Sequence, residues 1–379
     1  MANLKILHLT DGGLDDQRII NAASTGKKSG FEVFFCGKRP QTNFTTNIFK
    51  DTQWLKISNR ARVSELLLPV INQVWPLYPY PKHAFFLQKQ IKSCAEKIKP
   101  DIIHAHNIFV AYHALNLGIP LVLDDHELYS VEIRAISQNS SWKKKSIAKI
   151  KEGLWKKWEI KIGEKHPIIT VSKPIADHHK KYCKNVFVVP NYPRKDSIKM
   201  KIFNEATNGK LCSVYLGTDS EDANSIRNIR GLHEIFSSEK NVGCLKRIGV
   251  SSPNNSKIQS FGFIPMRETY KIMQTYCHIG ILPWRHHWFH EYCCPNKVYE
   301  YAHNGLWLIT IDDLTPVIDD FGKYCDKFDS YENLSSLLEF YNQNPDDLNK
   351  KRYAALNFAK NNLVWEKNEH MILDAYKLA

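Results

Sequence analysis

Apolar positions along the chain gather into short unbroken runs, separated by stretches whose apolar residues return at helical spacing. LKILHLT (4–10) has the first such run. A polar DGGLDDQ and a helical RIINAASTGKKSG follow, closing on Gly30 before FEVFFCG (31–37). A continuous run, a helix and a second run predict a β-loop-α-β unit. The same rhythm returns at PDIIHAHN (100–107), IPLVLDDHE (119–127), HPIITVSKP (166–174) and NVFVVPN (185–191). Runs this continuous, with helices between them, predict parallel strands covered on both faces. PNYPRKDSIKMKIFNEATNGK (190–210) has no period and carries two prolines. After it the rhythm restarts at LCSVYLG (211–217), LKRIGV (245–250), HIGILPW (278–284) and LWLITI (306–311). The expected architecture is α/β with two Rossmann-like β/α/β domains. Residues 1–190 form the first, 191–210 the linker and 211–362 the second. The amphipathic stretch 363–379 is expected as a helix crossing back to the first domain.

Length supports this division, because 379 residues predict two domains of roughly 190 residues each, with the cleft between them as the default site. A hydrophobic content of 43% with 24% charged residues is that of a globular protein. No apolar run is long enough to span a bilayer, and MANLKILHLT reads as a strand rather than a signal peptide. Nine cysteines with no C-x-x-C pair suit a reducing compartment, so the cytoplasm is expected. The net charge of +13 lies entirely in residues 1–190, which hold 29 Lys+Arg against 16 Asp+Glu; the remainder is balanced at 23 each. A one-sided excess suggests an anionic partner for the first half.

Neither half carries G-x-G-x-x-G or a P-loop, which argues against a dehydrogenase or a P-loop enzyme. Asp11, Gly12 and Gly13 follow the first strand and read either as a ligand-approaching turn or as a plain one. His104 and His106, then Asp124, Asp125, His126 and Glu127, fall at strand carboxyl ends, where open α/β sheets bind ligands. Each histidine reads as a functional group or as a structural hydrogen-bonder. In the second half, Arg227 lies in a polar loop, and Arg230 and Gly231 open a helix. That places a guanidinium for a diphosphate clamp or, equally, on a plain surface. CCPNKVYEYAHNG (293–305) places Pro295 and Asn296 at a helix start, Lys297 beside it, Glu300 one turn in and Gly305 at the stop.

These stretches together resemble the retaining glycosyltransferases of family four, which have the GT-B fold, across nearly the whole chain. The residues that carry the resemblance are the D-x-R of GLDDQRIINAAS, PDIIHAHN, PLVLDDHEL, ITVSKPI, VVPNYP, YLG followed by RGL, and PNKVYEYAHNG. It implies sugar transfer with retained configuration from a nucleotide diphosphate donor, UDP- or GDP-linked, to an acceptor hydroxyl. No cofactor is implied beyond that co-substrate, and no metal. Glu300 would hold the ribose, Arg230 would face the β-phosphate with Lys297 as a second cation, and His126 would approach the sugar. Gly12, Gly13, Pro295 and Asn296 would line the donor. Asp16, Arg18, His104 and His106 would face the acceptor in the first domain. The family pairs Glu300 with a glutamate eight positions earlier, where this chain has Tyr292; Glu291, one place out, is the candidate substitute.

RHHWFHEYCC (285–294) holds ligand-type residues but lacks H-E-x-x-H and the common zinc spacings, so it reads as a wall of the sugar pocket. WKKKSIAKIKEGLWKKWEIKIGEKH (142–166) has nine lysines, three glutamates and three tryptophans. It reads as an anionic-membrane contact or as an ordinary covering helix. The aromatic stretch LLLPVINQVWPLYPYPKHAFF (66–86) adds to the membrane reading, and a lipid-linked or glycan acceptor would account for both. The alternatives are a sugar-nucleotide epimerase on the same scaffold and a non-catalytic basic binding protein; nucleic acid is not expected as a partner of the transferase.

Overall fold

The computed structural model describes residues 4–40, 45–55, 84–220, 225–251 and 254–379. The aromatic stretch at 66–86 lies outside the described residues, apart from the backbone of its last three. The chain forms two compact units, Met1–Pro190 with Asn368–Ala379, and Asn191–Lys367.

Among the described residues the first unit holds seven parallel strands: β1 (Lys5–Gly13), β2 (Glu32–Lys38), β3 (Asp51–Trp54), β4 (Ile102–Ala105), β5 (Leu121–Asp125), β6 (Ile168–Thr170) and β7 (Val186–Val188). Their order is β3-β2-β1-β4-β5-β6-β7. Ile6, Leu7, Leu9, Ile103 and Leu123 are fully buried, as strands covered on both faces require. The order reverses between β1 and β4, and ligands of open α/β sheets bind beyond the strand ends at such a point. Pairing of His8 with His104 across β1 and β4 brings imidazoles together there.

Asp11, Gly12 and Gly13 do not form the expected tight turn. β1 continues through them to pair Gly13 with Lys38 after a register shift, and neither glycine takes a left-handed φ. Asp16 caps the Gln17–Lys28 helix by accepting the Arg18 N–H at 2.9 Å. The closing helix, Glu369–Lys377, packs into this unit: Glu369 accepts from Thr25 at 2.9 Å, and the Tyr376 hydroxyl lies 2.7 Å from His104 Nδ1.

The second unit holds six parallel strands: β8 (Cys212–Leu216), β9 (Cys244–Ile248), β10 (Ile258–Ser260), β11 (Ile279–Leu282), β12 (Trp307–Ile311) and β13 (Cys325–Phe328). The order β10-β9-β8-β11-β12-β13 reverses between β8 and β11. Residues 191–210 are packed onto this unit. Asn349 Oδ1 accepts the Ala206 N–H at 2.9 Å, and the buried Arg352 donates to the Asn204 carbonyl at 2.8 Å. Their irregular backbone finds its partners in side chains, which a periodicity reading does not see. Among the described residues no helix is long and apolar enough to cross a membrane.

Candidate active site

In the second unit the candidate groups follow the carboxyl ends of β8 and β11. The Lys297–His303 helix starts where proline predicted it, and Gly305 ends it at φ +72, the left-handed conformation a C-terminal cap needs. Tyr301 ties this helix to β8 through its hydroxyl, 2.8 Å from the Leu216 N–H. Lys297 is thereby held over two rings, its Nζ 5.1 Å from the centre of Tyr215 and 5.6 Å from that of Trp284. Gly217, at φ +142, leaves the space this ammonium uses, since a Cβ there would run into Lys297 Nζ. Burial in this pocket, with Arg227 nearby, lowers the Lys297 pKa to about 8.

Glu300 is half-buried, and its carboxylate receives no hydrogen bond from any described residue. Burial raises its pKa to about 7 against the opposing pull of Lys297. The site thus holds a carboxylate and an ammonium one turn apart, neither ion-paired within the described residues, with shifts that bring both toward neutrality. Arg227 adds a second cation, its guanidinium 6.0 Å from the Trp284 ring. Arg230 is the first residue of the Arg230–Ser238 helix, as expected, but its side chain is 81% exposed and bonds Glu234 at 2.9 Å. The sequence reading missed Tyr215 and Trp284 as the walls that place Lys297. Their position at strand carboxyl ends was the available signal.

The 285–294 segment folds over Asp313, with Asp312 also 3.4 Å from His286. Asp313 accepts from His290 Nδ1 at 2.6 Å and from the His287 N–H at 2.8 Å, and lies 3.3 Å from His286 Nδ1. His290 is buried with its ring 5.7 Å from Trp284. Glu291 is exposed, whereas Tyr292 is half-buried and 6.0 Å from Phe289. Pro295 is half-buried and Asn296 exposed, the latter capping the helix through its backbone without a side-chain bond.

In the first unit the sequence-predicted residues meet at Asp124. Arg18 reaches both of its oxygens, the shortest contact being 2.6 Å, and donates to the Val189 carbonyl at 2.7 Å. His104 Nε2, His106 Nδ1 and His126 Nε2 each lie 3.3 Å from Asp124 Oδ2. His8 Nδ1 bonds His106 Nε2 at 3.0 Å. Arg18, His104 and His106 are buried; His126, with a side chain 20% exposed, is the member that reaches the surface. Burial alone would raise the Asp124 carboxyl, but Arg18 and the surrounding imidazoles hold it well below the usual carboxylate range. Burial pushes His106 down to about 3 and lowers His8 and His104, so these rings are neutral at pH 7. Arg18 and Asp124 therefore form a buried pair inside the unit, with the histidines packed around it. Asp16 is spent on the helix cap, and Gly12 lies at the end of β1 with its N–H on Thr10 Oγ1.

Among the described residues three groups offer metal-type atoms within 4.8 Å of one another: His8, His104 and His106; His106, Asp124 and His126; and His286, Asp312 and Asp313. In the first two the only carboxylate is already matched by Arg18. A dication there would add positive charge to a buried site without an anion to balance it.

Residues 19–192 match the model of Glycosyltransferase Family 4. No curated protein sequence matches the chain. Among solved structures, sucrose-phosphate synthase from Thermosynechococcus elongatus is similar at a TM-score of 0.68 with 13% identity, covering 99% of this chain and 98% of that one. HepE from Anabaena, solved with UDP-glucose, gives a TM-score of 0.65 at 9% identity with both chains fully covered. A glycosyltransferase from Rickettsia africae gives 0.62 at 13% identity, covering 100% of this chain and 98% of that one. At these identities the likeness speaks for the fold. The chain accordingly has the two-domain GT-B fold, and its residues 19–192 are similar to Glycosyltransferase Family 4.

Proposed function

We propose that the protein is a retaining glycosyltransferase that moves a sugar from a nucleotide diphosphate, UDP- or GDP-linked, to an acceptor hydroxyl. The observation that carries this reading is the trio of Lys297, Arg227 and Glu300, whose side chains form no ion pair or hydrogen bond among the described residues. Two cations beside one carboxylate fit a ligand with a diphosphate at one end and a diol next to it. Glu300, ionised, accepts two hydrogen bonds from the ribose hydroxyls. Lys297 and Arg227 meet the phosphates, and Arg230, free to leave Glu234, supplies a third cation as the leaving group gains charge. HepE and the Arabidopsis thaliana UGT89C1, solved with UDP-glucose and UDP-L-rhamnose, have the fold and bind donors of this class.

In the reaction the bond from the sugar's anomeric carbon to the diphosphate oxygen breaks, and a bond to the acceptor oxygen forms on the same face. The acceptor proton passes to the departing phosphate. No protein nucleophile and no metal enters this scheme, because the cations already present balance the diphosphate. His126, the surface-reaching member of the Asp124 cluster, is assigned to the sugar, held in place by a carboxylate that Arg18 keeps ionised. The acceptor is read as a glycan or a lipid-linked sugar, taken by the basic first unit.

A thermal-shift panel of UDP, GDP and their sugar conjugates tests the reading, with Glu300→Ala and Lys297→Ala beside the native protein. Saturating ligand at a hundredfold over Kd stabilises by about 2.7 kcal/mol. The expected result is a rise in Tm for one base and its conjugates that both variants lose. Indifference of the native protein to every member, or full responses from both variants, refutes it.

A further inference from the structure

Residues 1–190 carry the whole charge excess, and one helix concentrates it. Trp142–Gly163 runs 22 residues, about 33 Å at the standard rise. Its inner face is Ala148, Trp155, Glu159 and Ile162, all buried. Trp155 packs edge-to-face on Phe109 at 5.3 Å, Trp158 stacks on Tyr112 at 4.1 Å, and Glu159 accepts from Ser130 Oγ at 2.8 Å. Trp155 is therefore a core residue and Trp158 is half-buried against that core, so both are held by the first unit and not offered to a membrane interface.

The outer face is different. Trp142, Lys145, Ser146, Lys149, Gly153 and Lys156 follow one another at helical spacing and are all exposed. Lys143, Lys144, Lys157 and Lys161 flank them, also exposed. Within the helix no carboxylate interrupts this stripe, and the exposed Glu164 follows at its carboxyl-terminal cap. Glu159 is inside and Glu152 is half-buried and 3.6 Å from Arg134. At its amino-terminal end Trp142 is 73% exposed. Ile136, which ends on the neighbouring Tyr129–Ser137 helix only six residues earlier, is 69% exposed. A straight cationic stripe with two bare apolar side chains at one end complements a surface that is flat, anionic and apolar just beneath.

We infer that this face of the Trp142–Gly163 helix, led by Ile136 and Trp142, docks the protein on an anionic lipid bilayer. The lysines meet headgroup phosphates, while the indole and the isoleucine enter the interface. This surface stands on the charge and exposure of the first unit alone, so its failure and that of the donor site are separate events.

Vesicle co-sedimentation of the full chain tests it, comparing pure phosphatidylcholine with phosphatidylcholine containing phosphatidylglycerol. Binding is expected only with the anionic lipid and is expected to weaken as salt shortens the Debye length from about 14 Å to about 4 Å. Neutralising three exposed charges in Lys145→Gln/Lys149→Gln/Lys156→Gln should reduce partitioning about a hundredfold. Trp142→Ser/Ile136→Ser should lose the part of the binding that survives high salt. All five positions are exposed, so the variants keep their fold, and an unchanged thermal shift with the nucleotide panel checks this. Equal binding to both vesicle types, native-like partitioning of the triple variant, or tighter binding to an oligonucleotide than to the anionic vesicles overturns the inference.

Discussion

Glu300 and Lys297 must carry opposite charges for the proposed donor to bind, and the protein pushes both toward neutrality. Glu300 has to be ionised to accept the ribose hydroxyls, yet burial raises it to about 7. Lys297 has to be protonated to meet phosphate, yet burial and Arg227 lower it to about 8. Donor affinity then scales with the fraction of protein holding both groups in the charged state. That fraction peaks midway, at about pH 7.5, and falls on each side. At about pH 5.5 or pH 9.5 it is about twentyfold smaller, or about 1.7 kcal/mol of affinity. The diphosphate of such a conjugate keeps its charge throughout this window and its base N–H titrates only at the alkaline edge, so the acid limb and the onset of the alkaline one belong to the protein. Isothermal titration across the range, with whichever conjugate gives the largest thermal shift, reads it directly. Below pH 7 binding releases a proton from Glu300, visible as a buffer-dependent heat. Glu300→Gln should remove the acid limb and Lys297→Met the alkaline one. Affinity that stays flat across the window, or an acid limb that survives in Glu300→Gln, refutes the assignment.

Arg227→Ala should weaken donor binding at pH 7.5 and move the alkaline limb upward, because its charge helps depress Lys297; Arg230→Ala should weaken binding while leaving the limb in place. Titration calorimetry of both variants separates the two effects. Asp124→Asn leaves the buried Arg18 without its counter-ion and should destabilise the first unit by about 3–5 kcal/mol in urea unfolding. Glu159 is raised to about 7 by burial and by Asp125, so its contribution to stability is full below the ordinary carboxylate range and is lost as pH climbs through 7. Glu159→Gln should therefore unfold at higher temperature than the native protein at pH 8 and differ little at pH 4.5, a contrast of about 3 kcal/mol at most.

What the chain reveals on reading depends on how far apart the cooperating residues lie. The central strands were legible because a buried parallel strand is largely apolar; β4, β5, β8, β11 and β12 all fall within the runs that predicted them, whereas β1 runs three residues past its own to Gly13. β3 and β10 were not, since Asp51–Trp54 and Ile258–Ser260 are short edge strands whose polar outer positions break the run. The Lys297–His303 helix was legible from Pro295 and Gly305 alone, because its start and stop are local. The partner of Arg18 was not, because Asp124 is 106 residues away and only the order of β1, β4 and β5 brings the two together.

The same distinction explains why composition misjudged the lysine-rich helix in part. Counting nine lysines and three tryptophans over 142–166 treats the residues as one set. Folding sorts them by phase: Trp155 and Trp158 fall on the side that meets Phe109 and Tyr112, while Trp142 falls with Lys145 and Lys149 on the exposed side. A helix cannot spend one face twice. The charge that sets the protein's basic character is therefore held by a face that the fold of the first unit does not use. The buried Glu159 anchors that helix from the opposite side through Ser130. Surface charge and core anchor are thus parts of one element, and the variants above load them separately. Removing exposed lysines should leave Tm unchanged and abolish vesicle binding, whereas Glu159→Gln should shift the pH dependence of Tm and leave vesicle binding intact.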